Sequence, residues 1–296
     1  MLARAGAAIA VAALLPSIVH AQPTAHYVPG IEGVKGASLP PPGVYLRDYN
    51  VAYYATQVND ASGHGISGAD PKAFVYANVP RILWITDVKV LGGFLGVDAL
   101  LPLQYTDIQI NTPIGRYSDN NFGIGDAFAE ATLSWHTKRF DIAIGDGMWA
   151  PTGDSPPPAV HPGKGYWGNM ITAGATWYCD EGKKWAISAL NRYEINLENN
   201  DTDITTGQTY TVEGGISRAL SPTVDVGAIG YYQQKVTTDS GPGSNDVRDR
   251  VAGIGPEISV FYPRITFGWS LRYAYEFMAE SRLQGHTLAF TLTKRF

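Results

Sequence analysis

The sequence predicts an all-β protein: a transmembrane antiparallel β-barrel of about 12 strands with an N-terminal Pro/Gly-rich segment. Apolar and polar residues alternate with a period of two along most of the 296 residues, which indicates strands with two unlike faces. Tight turns and longer loops alternate between these runs, as they do in outer-membrane barrels. Aromatic residues, 11% of the chain, gather at the ends of the runs, where membrane barrels carry aromatic girdles.

Residues 1–21 have the pattern of a signal peptide. Arg4 is followed by an apolar run that ends at Val19-His20-Ala21, a small-x-small cleavage pattern. The run, about 15 residues long, is short for a membrane-spanning helix, although a membrane anchor is the alternative. We therefore expect an exported protein, whose single cysteine, Cys179, has no partner for an internal disulfide.

Residues 22–43 form a Pro/Gly-rich segment without strand alternation. Such a composition can form neither a helix nor a central strand. We expect this segment to enter or cap the periplasmic mouth of the barrel as a plug that partly occludes the lumen. Tyr27 and Leu39 are its expected contacts with the barrel.

The barrel domain, residues 44–296, divides into twelve predicted strands. Alternation is clearest in residues 95–105, 127–135 and 265–277. The predicted strands are 44–58, 73–86, 93–107, 124–137, 139–150, 167–179, 184–198, 208–220, 223–237, 248–262, 264–278 and 283–296. Residues 108–123, rich in Asn, Asp and Gly, are expected to form one of the longer loops.

Periodicity alone does not say whether the apolar face points into a soluble barrel or outward to lipid. Three features favour lipid: the polar faces carry small and mixed residues, Trp and Tyr lie at strand ends, and the chain stops within a strand. The last strand carries the pattern of a signal for the barrel assembly machinery, formed by Gly285, Leu288, Phe290, Leu292 and Phe296. We therefore expect a protein of the outer membrane of a Gram-negative bacterium, in contact with lipid and lipopolysaccharide. A secreted soluble β-protein is the alternative.

The same alternation assigns charged residues to the lumen. The inward-facing set is Asp98, Asp126, Glu130, Arg192, Glu194, Glu213, Asp225, Glu257, Arg272 and Glu276. Similar depth makes Arg192 and Glu213, and Arg272 and Glu257, expected partners across a small bore, although each charge could simply be hydrated. Because acids outnumber bases in this set, such a lining favours neutral or cationic solutes over anions.

The sequence carries no recognisable catalytic motif. Gly-x-Ser-x-Gly and His-Glu-x-x-His are both absent, and no cofactor, metal site or catalytic residue is predicted. The formal net charge of −5 argues against a nucleic-acid partner. Ser134 and His136, neighbours on one inward face, are the candidates for an alternative role as a lipase-type hydrolase.

Several short motifs, taken in order, resemble one outer-membrane family. They are His26-Tyr27-Val28-Pro29-Gly30, Pro41-Pro42-Gly43-Val44-Tyr45, Val79-Pro80-Arg81-Ile82-Leu83-Trp84, Gly123-Ile124-Gly125-Asp126, Trp135-His136, Ala150-Pro151-Thr152-Gly153 and the terminal Phe296. In order and spacing the chain resembles the family named after the meta-pathway of phenol degradation, the SphA-like transporter group, over essentially its whole mature length.

That family is similar in plan to outer-membrane channels for fatty acids and aromatic hydrocarbons. The resemblance implies a porin-like channel or facilitator for passive uptake of small hydrophobic or aromatic compounds. No energy-coupling domain is visible, so transport would follow the concentration gradient. A lipase-type hydrolase and a structural or adhesive surface barrel are the alternatives.

Overall fold

The computed structural model describes residues 25–112, 115–155 and 160–296. The predicted signal peptide, residues 1–21, lies outside these ranges. No helix in the described part of the chain is long and apolar enough to cross a membrane.

The described residues form sixteen β-strands and one short 3₁₀ turn, Pro263–Ile265. The strands are β1 (Gly43–Val58), β2 (Asp70–Val90), β3 (Gly93–Leu100), β4 (Leu103–Thr112), β5 (Gly115–Ile124), β6 (Ala127–His136), β7 (Phe140–Ala150), β8 (Gly168–Tyr178), β9 (Trp185–Asn196), β10 (Glu198–Asn199), β11 (Ile204–Thr205), β12 (Thr209–Ser221), β13 (Val224–Lys235), β14 (Arg250–Tyr262), β15 (Phe267–Glu280) and β16 (Leu283–Arg295). Strands β10 and β11 form a separate small hairpin.

The remaining fourteen strands form one antiparallel sheet that closes on itself, because β1 pairs with β16 on one side and β2 on the other. Strands β3 and β4 follow each other along β2, and β6 and β5 pair with them in turn. Strands β3 and β4 are one long strand with a short break at Leu101-Pro102. Strands β5 and β6 are a second long strand with a short break. The circumference therefore has twelve strands, and the predicted 12-strand barrel is confirmed.

One predicted loop is wrong. Residues 108–123 continue the barrel wall, since β4 runs to Thr112 and β5 begins at Gly115. Ile108 and Ile110 point inward and are buried with residues of the neighbouring wall. Their alternation extends the strand beyond the point at which the Asn-rich composition indicates a loop.

The two faces of the sheet are the reverse of those of a soluble barrel. Large apolar side chains such as Ile82, Trp84 and Phe277 are exposed on the outside, whereas charged side chains are buried inside. A closed sheet leaves no unpaired strand edge in hydrocarbon, and an apolar exterior suits contact with lipid. This distribution is that of a transmembrane barrel.

The structure shows the direction of two charged side chains outside the predicted lumen set. Arg81 turns inward and is buried, between outward-facing neighbours on β2. Asp146 turns outward and accepts a hydrogen bond of 2.7 Å from Asn169 Nδ2 on the neighbouring strand. Asp146 lies one residue from the middle of β7, and this hydrogen bond satisfies part of its capacity as an acceptor on the outer face.

One end of the barrel carries mostly tight turns and the other mostly longer connections. Outer-membrane barrels have short turns on the periplasmic side, so this end is the periplasmic one. Gly43 and Phe296 both lie there. The connections 59–69, 151–167, 197–208 and 236–249 lie at the opposite, extracellular end.

Candidate functional site in the barrel lumen

Residues 25–42 run through the inside of the barrel, from the extracellular half to the periplasmic rim. His26 bonds to Glu194 near the extracellular end of β9, and Ser38 bonds to Thr176 near the periplasmic end of β8. Between them, the segment contacts residues from strands all around the barrel. We call residues 25–42 the lumenal segment. It reaches much deeper than the periplasmic mouth, where the sequence places it.

The lumenal segment fits the bore closely because it bends at glycines. Gly33 has a φ of +82°, and a Cβ there would lie 2.4 Å from Glu257 Oε2. A residue with a side chain would therefore meet both backbone strain and a clash.

The two expected contact residues lie at opposite ends of the lumenal segment. Tyr27 packs against Phe128, Trp149 and Met170 in the extracellular half, and its hydroxyl donates to Glu213. Leu39 packs against a separate apolar cluster near the periplasmic rim, formed by Tyr45, Leu83 and Ile85.

At mid-depth, the carboxylate of Glu32 is surrounded by donors from the wall. Glu32 Oε1 accepts from Arg81 Nη1 at 2.8 Å and from Arg192 Nη2 at 3.2 Å. Glu32 Oε2 accepts from Arg47 Nη1 and from the Tyr49 hydroxyl, both at 3.1 Å. The Glu32 side chain is only 4% exposed. We call these five residues the arginine layer.

Arg81 also ties the arginine layer to predicted lumen residues. Its Nε and Nη2 bond to the two carboxylate oxygens of Asp98 at 2.7 and 2.8 Å, a bidentate pair. Glu130 Oε2 lies 3.6 Å from Arg81 Nη2. Sequence reasoning missed Arg81, because both faces of its strand are apolar, and missed Glu32 because it belongs to an irregular segment.

The structure brings both expected ion pairs together, although the partners lie on adjacent strands and do not cross the bore. Arg192 Nη1 lies 2.9 Å from Glu213 Oε1, and Arg272 Nε lies 3.5 Å from Glu257 Oε2. Arg272 also donates to the backbone oxygen of Ile31. The second pair therefore holds the lumenal segment as well as its own strands.

The remaining predicted lumen residues also contact the lumenal segment or the wall. Asp126 and Glu194 lie on either side of His26, and Asp225 accepts from Lys35 Nζ at 2.8 Å. Glu276 accepts from the Tyr53 hydroxyl at 2.9 Å and from a backbone amide of β16. The predicted lumen set omits several buried bases, among them Arg81 and Arg282, and also several buried acids, among them Glu32, Asp141 and Asp249.

The extracellular connection 151–167 folds over the mouth of the barrel. Gly153 N and Lys164 N donate to the two oxygens of Asp126, at 3.0 and 2.7 Å. Val160 N donates to Asp119 Oδ2 at 2.8 Å, and the Val160 side chain is buried. Burial lowers the pKa of Lys164 below its usual range, against the opposing effect of the Asp126 charge. We call residues 151–167 the lid loop, of which 151–155 and 160–167 are described.

A cavity of about 220 Å³ lies between the lid loop, the lumenal segment and the barrel wall. Most of the side chains around it are apolar, among them Val51, Val75, Val79, Leu100, Phe128 and Met170. Glu32, Arg81 and Arg192 line this cavity and also a smaller one of about 30 Å³. The arginine layer therefore separates two spaces along the bore, of which the larger has mainly apolar walls.

The hydrolase candidates do not form a catalytic pair. His136 Nδ1 lies 3.0 Å from Asp141 Oδ1, whereas Ser134 Oγ is buried without a hydrogen-bond partner among the described residues. Within those residues there is also no group of three or more His, Cys, Asp or Glu side chains that could hold a metal ion.

The family described as "Putative MetA-pathway of phenol degradation" matches residues 55–292. The chain belongs to this family. The match covers the barrel wall from β1 into β16, and so includes every predicted lumen residue. No protein with a curated description matches the chain.

Several solved structures are similar to this member of the family. An outer membrane channel from Pseudomonas putida F1 is 15% identical, with a TM-score of 0.73, over 91% of this chain and 100% of that one. The β domain of the Bordetella autotransporter BrkA is 12% identical, with a TM-score of 0.49, over 86% and 99% of the two chains. The translocator domain of the autotransporter NalP from Neisseria meningitidis is 12% identical, with a TM-score of 0.48, over 88% and 91%.

The first of these similarities shows the same fold, and it agrees with the closed sheet and apolar exterior of this chain. The predicted location in the outer membrane of a Gram-negative bacterium is thereby confirmed.

Proposed function

We propose that this barrel is an outer-membrane channel that facilitates passive uptake of small hydrophobic or aromatic compounds. The observation that carries the proposal is the cavity of about 220 Å³ with mainly apolar walls inside the bore. A dry apolar cavity of about 150 Å³ is enough to bind benzene. A monoaromatic solute therefore fits this space, and burial of its ring stabilises the bound state.

The route through the barrel has two closed positions. The lid loop covers the cavity on the extracellular side, and the lumenal segment with the arginine layer closes it on the periplasmic side. A solute that follows its gradient enters past the lid loop and leaves when the lumenal segment shifts. In this proposal, residues 22–43 act as a plug, and Tyr27 and Leu39 anchor its two ends.

The hydrolase and the adhesive alternatives have less support. Ser134 lacks a hydrogen bond to a base, and the lid loop folds inward over the lumen. The chain belongs to the phenol-degradation family, and its fold is similar to that of an outer membrane channel.

Uptake of toluene into cells that produce the protein tests the proposal. Ala77 lines the cavity, and A77W fills part of it with an indole ring. Ala131 is exposed on the outer face of β6, so A131W is the matched control. We expect toluene uptake to fall with A77W and to stay at the wild-type rate with A131W. Equal uptake by cells with and without the wild-type protein would contradict a channel role.

We also propose that the last strand is recognised by the barrel assembly machinery through Gly285, Leu288, Phe290, Leu292 and Phe296. Leu288, Phe290 and Phe296 are exposed on the outer face of the barrel, where another protein can contact them before lipid does. Truncation of Phe296 should reduce the amount of folded barrel in the outer membrane, measured against the total amount of the protein. An unchanged folded fraction would contradict this role.

A further inference from the structure

The carboxylate of Glu32 has the environment of a bound ligand. Each of its oxygens accepts two hydrogen bonds, so all four lone-pair positions of the carboxylate are used. All four donors belong to the barrel wall, on β1, β2 and β9. The acceptor belongs to the lumenal segment, which is joined covalently to the wall at Gly43 and contacts the rest of the wall through hydrogen bonds, ion pairs and apolar packing. The wall thus forms a carboxylate site that a removable side chain fills.

Removal of Glu32 would leave a positive charge without compensation. Arg81 has a second partner in Asp98, and Arg192 has one in Glu213. Arg47 forms an ion pair only with Glu32 among the described residues. The Arg47 side chain is 23% exposed, and a largely buried charge without a partner is destabilising. The lumenal segment therefore leaves this layer more easily when another carboxylate takes the place of Glu32.

The apolar cavity is directly beside this site. Glu32, Tyr49, Arg81 and Arg192 all line it, on the same surface as Val51, Val79 and Phe128. A small molecule with one ring and one carboxylate would place its ring against the apolar wall and its charge on the arginines. Planar guanidinium groups suit such a carboxylate, because they donate in pairs.

Resting on the proposed channel function, we propose that the solutes of this barrel include small aromatic monocarboxylates, which use a site that neutral aromatic compounds do not occupy. The solute carboxylate replaces that of Glu32 on Arg47, Arg81, Arg192 and Tyr49. Glu32 is then a positioning residue of the plug: it neutralises the arginine layer in the absence of solute and competes with the solute for the same donors.

Benzoate and benzyl alcohol are the probes, because they share a ring but only benzoate carries a carboxylate. Their binding to the folded, detergent-solubilised protein is measured by calorimetry for the wild type and for E32Q. In E32Q the competing charge of Glu32 is lost. We expect benzoate affinity to rise about tenfold, because benzoate then competes against one charge-assisted interaction fewer. Benzyl alcohol affinity should change little.

Two further variants control this comparison. E181Q makes the same charge change at a side chain that is 94% exposed in a periplasmic turn, and it should leave benzoate affinity at the wild-type value. The double variant E32Q/R47Q removes one donor of the site, and it should lose most of the gain in benzoate affinity.

The wild-type channel supplies an independent measurement in case E32Q does not fold. In planar bilayers, benzoate should displace Glu32 and raise the ion conductance, whereas benzyl alcohol at the same concentration should not. A rise with benzoate alone supports the proposal, and no rise contradicts it.

These outcomes distinguish failure of the carboxylate site from failure of the channel proposal. If benzyl alcohol binds and benzoate gains nothing in E32Q, or if both gain equally, the carboxylate site is refuted and the channel proposal stands. If neither probe binds to any folded variant and toluene uptake also fails, the channel proposal falls, and the carboxylate site falls with it.

Discussion

His26 Nε2 of the lumenal segment lies 3.3 Å from Asp126 Oδ2 on the barrel wall. The same carboxylate accepts two backbone N–H groups of the lid loop, from Gly153 and Lys164. The imidazole of His26 also stacks on Trp149, with ring centroids 5.3 Å apart. Asp126 therefore contacts both the lid loop and the extracellular end of the lumenal segment.

D126N is expected to loosen both covers at once. The amide offers one acceptor oxygen in place of two and no charge for His26. The hydrogen bonds to the lid loop and the electrostatic contact with His26 therefore weaken together. Single-channel recordings should show a higher mean conductance and more frequent transitions than those of the wild type. D119N is the matched control, since Asp119 holds the lid loop at Val160 but lies away from His26. If D119N and D126N gave the same traces, Asp126 would not link the two covers.

Deletion of residues 24–40 is expected to raise the conductance while the barrel still assembles. Of the deleted residues, 25–40 lie inside the bore, whereas the closing pairs of the sheet, β1 with β2 and β16, start at Gly43 or later. Planar-bilayer conductance measures the first effect, and the folded fraction after membrane extraction measures the second. Wild-type conductance in a folded deletion variant would show that the segment does not obstruct the path.

The strands follow from the sequence, but the centre of the lumen does not. Residues 95–105, 127–135 and 265–277 reveal their inner and outer faces because one face must suit lipid and the other the lumen. Glu32 meets Arg192, a residue 160 positions away, and no local pattern encodes such a contact. Arg81 lies between apolar neighbours on both faces, so alternation could not assign its direction until the pairing of β2 was known.

R272A is expected to destabilise the barrel by about 3–5 kcal/mol, the range for breaking a buried ion pair. Arg272 pairs with Glu257 and also donates to Ser270 Oγ at 2.7 Å and to the backbone of Ile31. Its loss leaves Glu257 buried without its arginine partner. Urea unfolding in detergent micelles measures the change in free energy. R264A, in the exposed periplasmic turn, removes the same charge and should shift the transition little.

G33A is expected to dislodge the lumenal segment without damage to the barrel wall. Gly33 adopts a φ of +82°, which costs about 1–3 kcal/mol for a residue with a side chain. The added Cβ would also lie 2.4 Å from Glu257 Oε2, and the backbone amide of Val34, which donates to that oxygen at 2.9 Å, would have to move.

Because the strain is confined to the plug, the conductance of G33A should rise while its unfolding midpoint falls only slightly. G243A is the matched control: Gly243 has a φ of +74° in an extracellular loop, and nothing lies within 4 Å of a Cβ there. It shares the backbone strain but touches neither the plug nor the lumen, so its conductance should equal that of the wild type. A rise in G243A as large as that in G33A would mean that general strain opens the channel, and that the fit of Gly33 against Glu257 does not hold it closed.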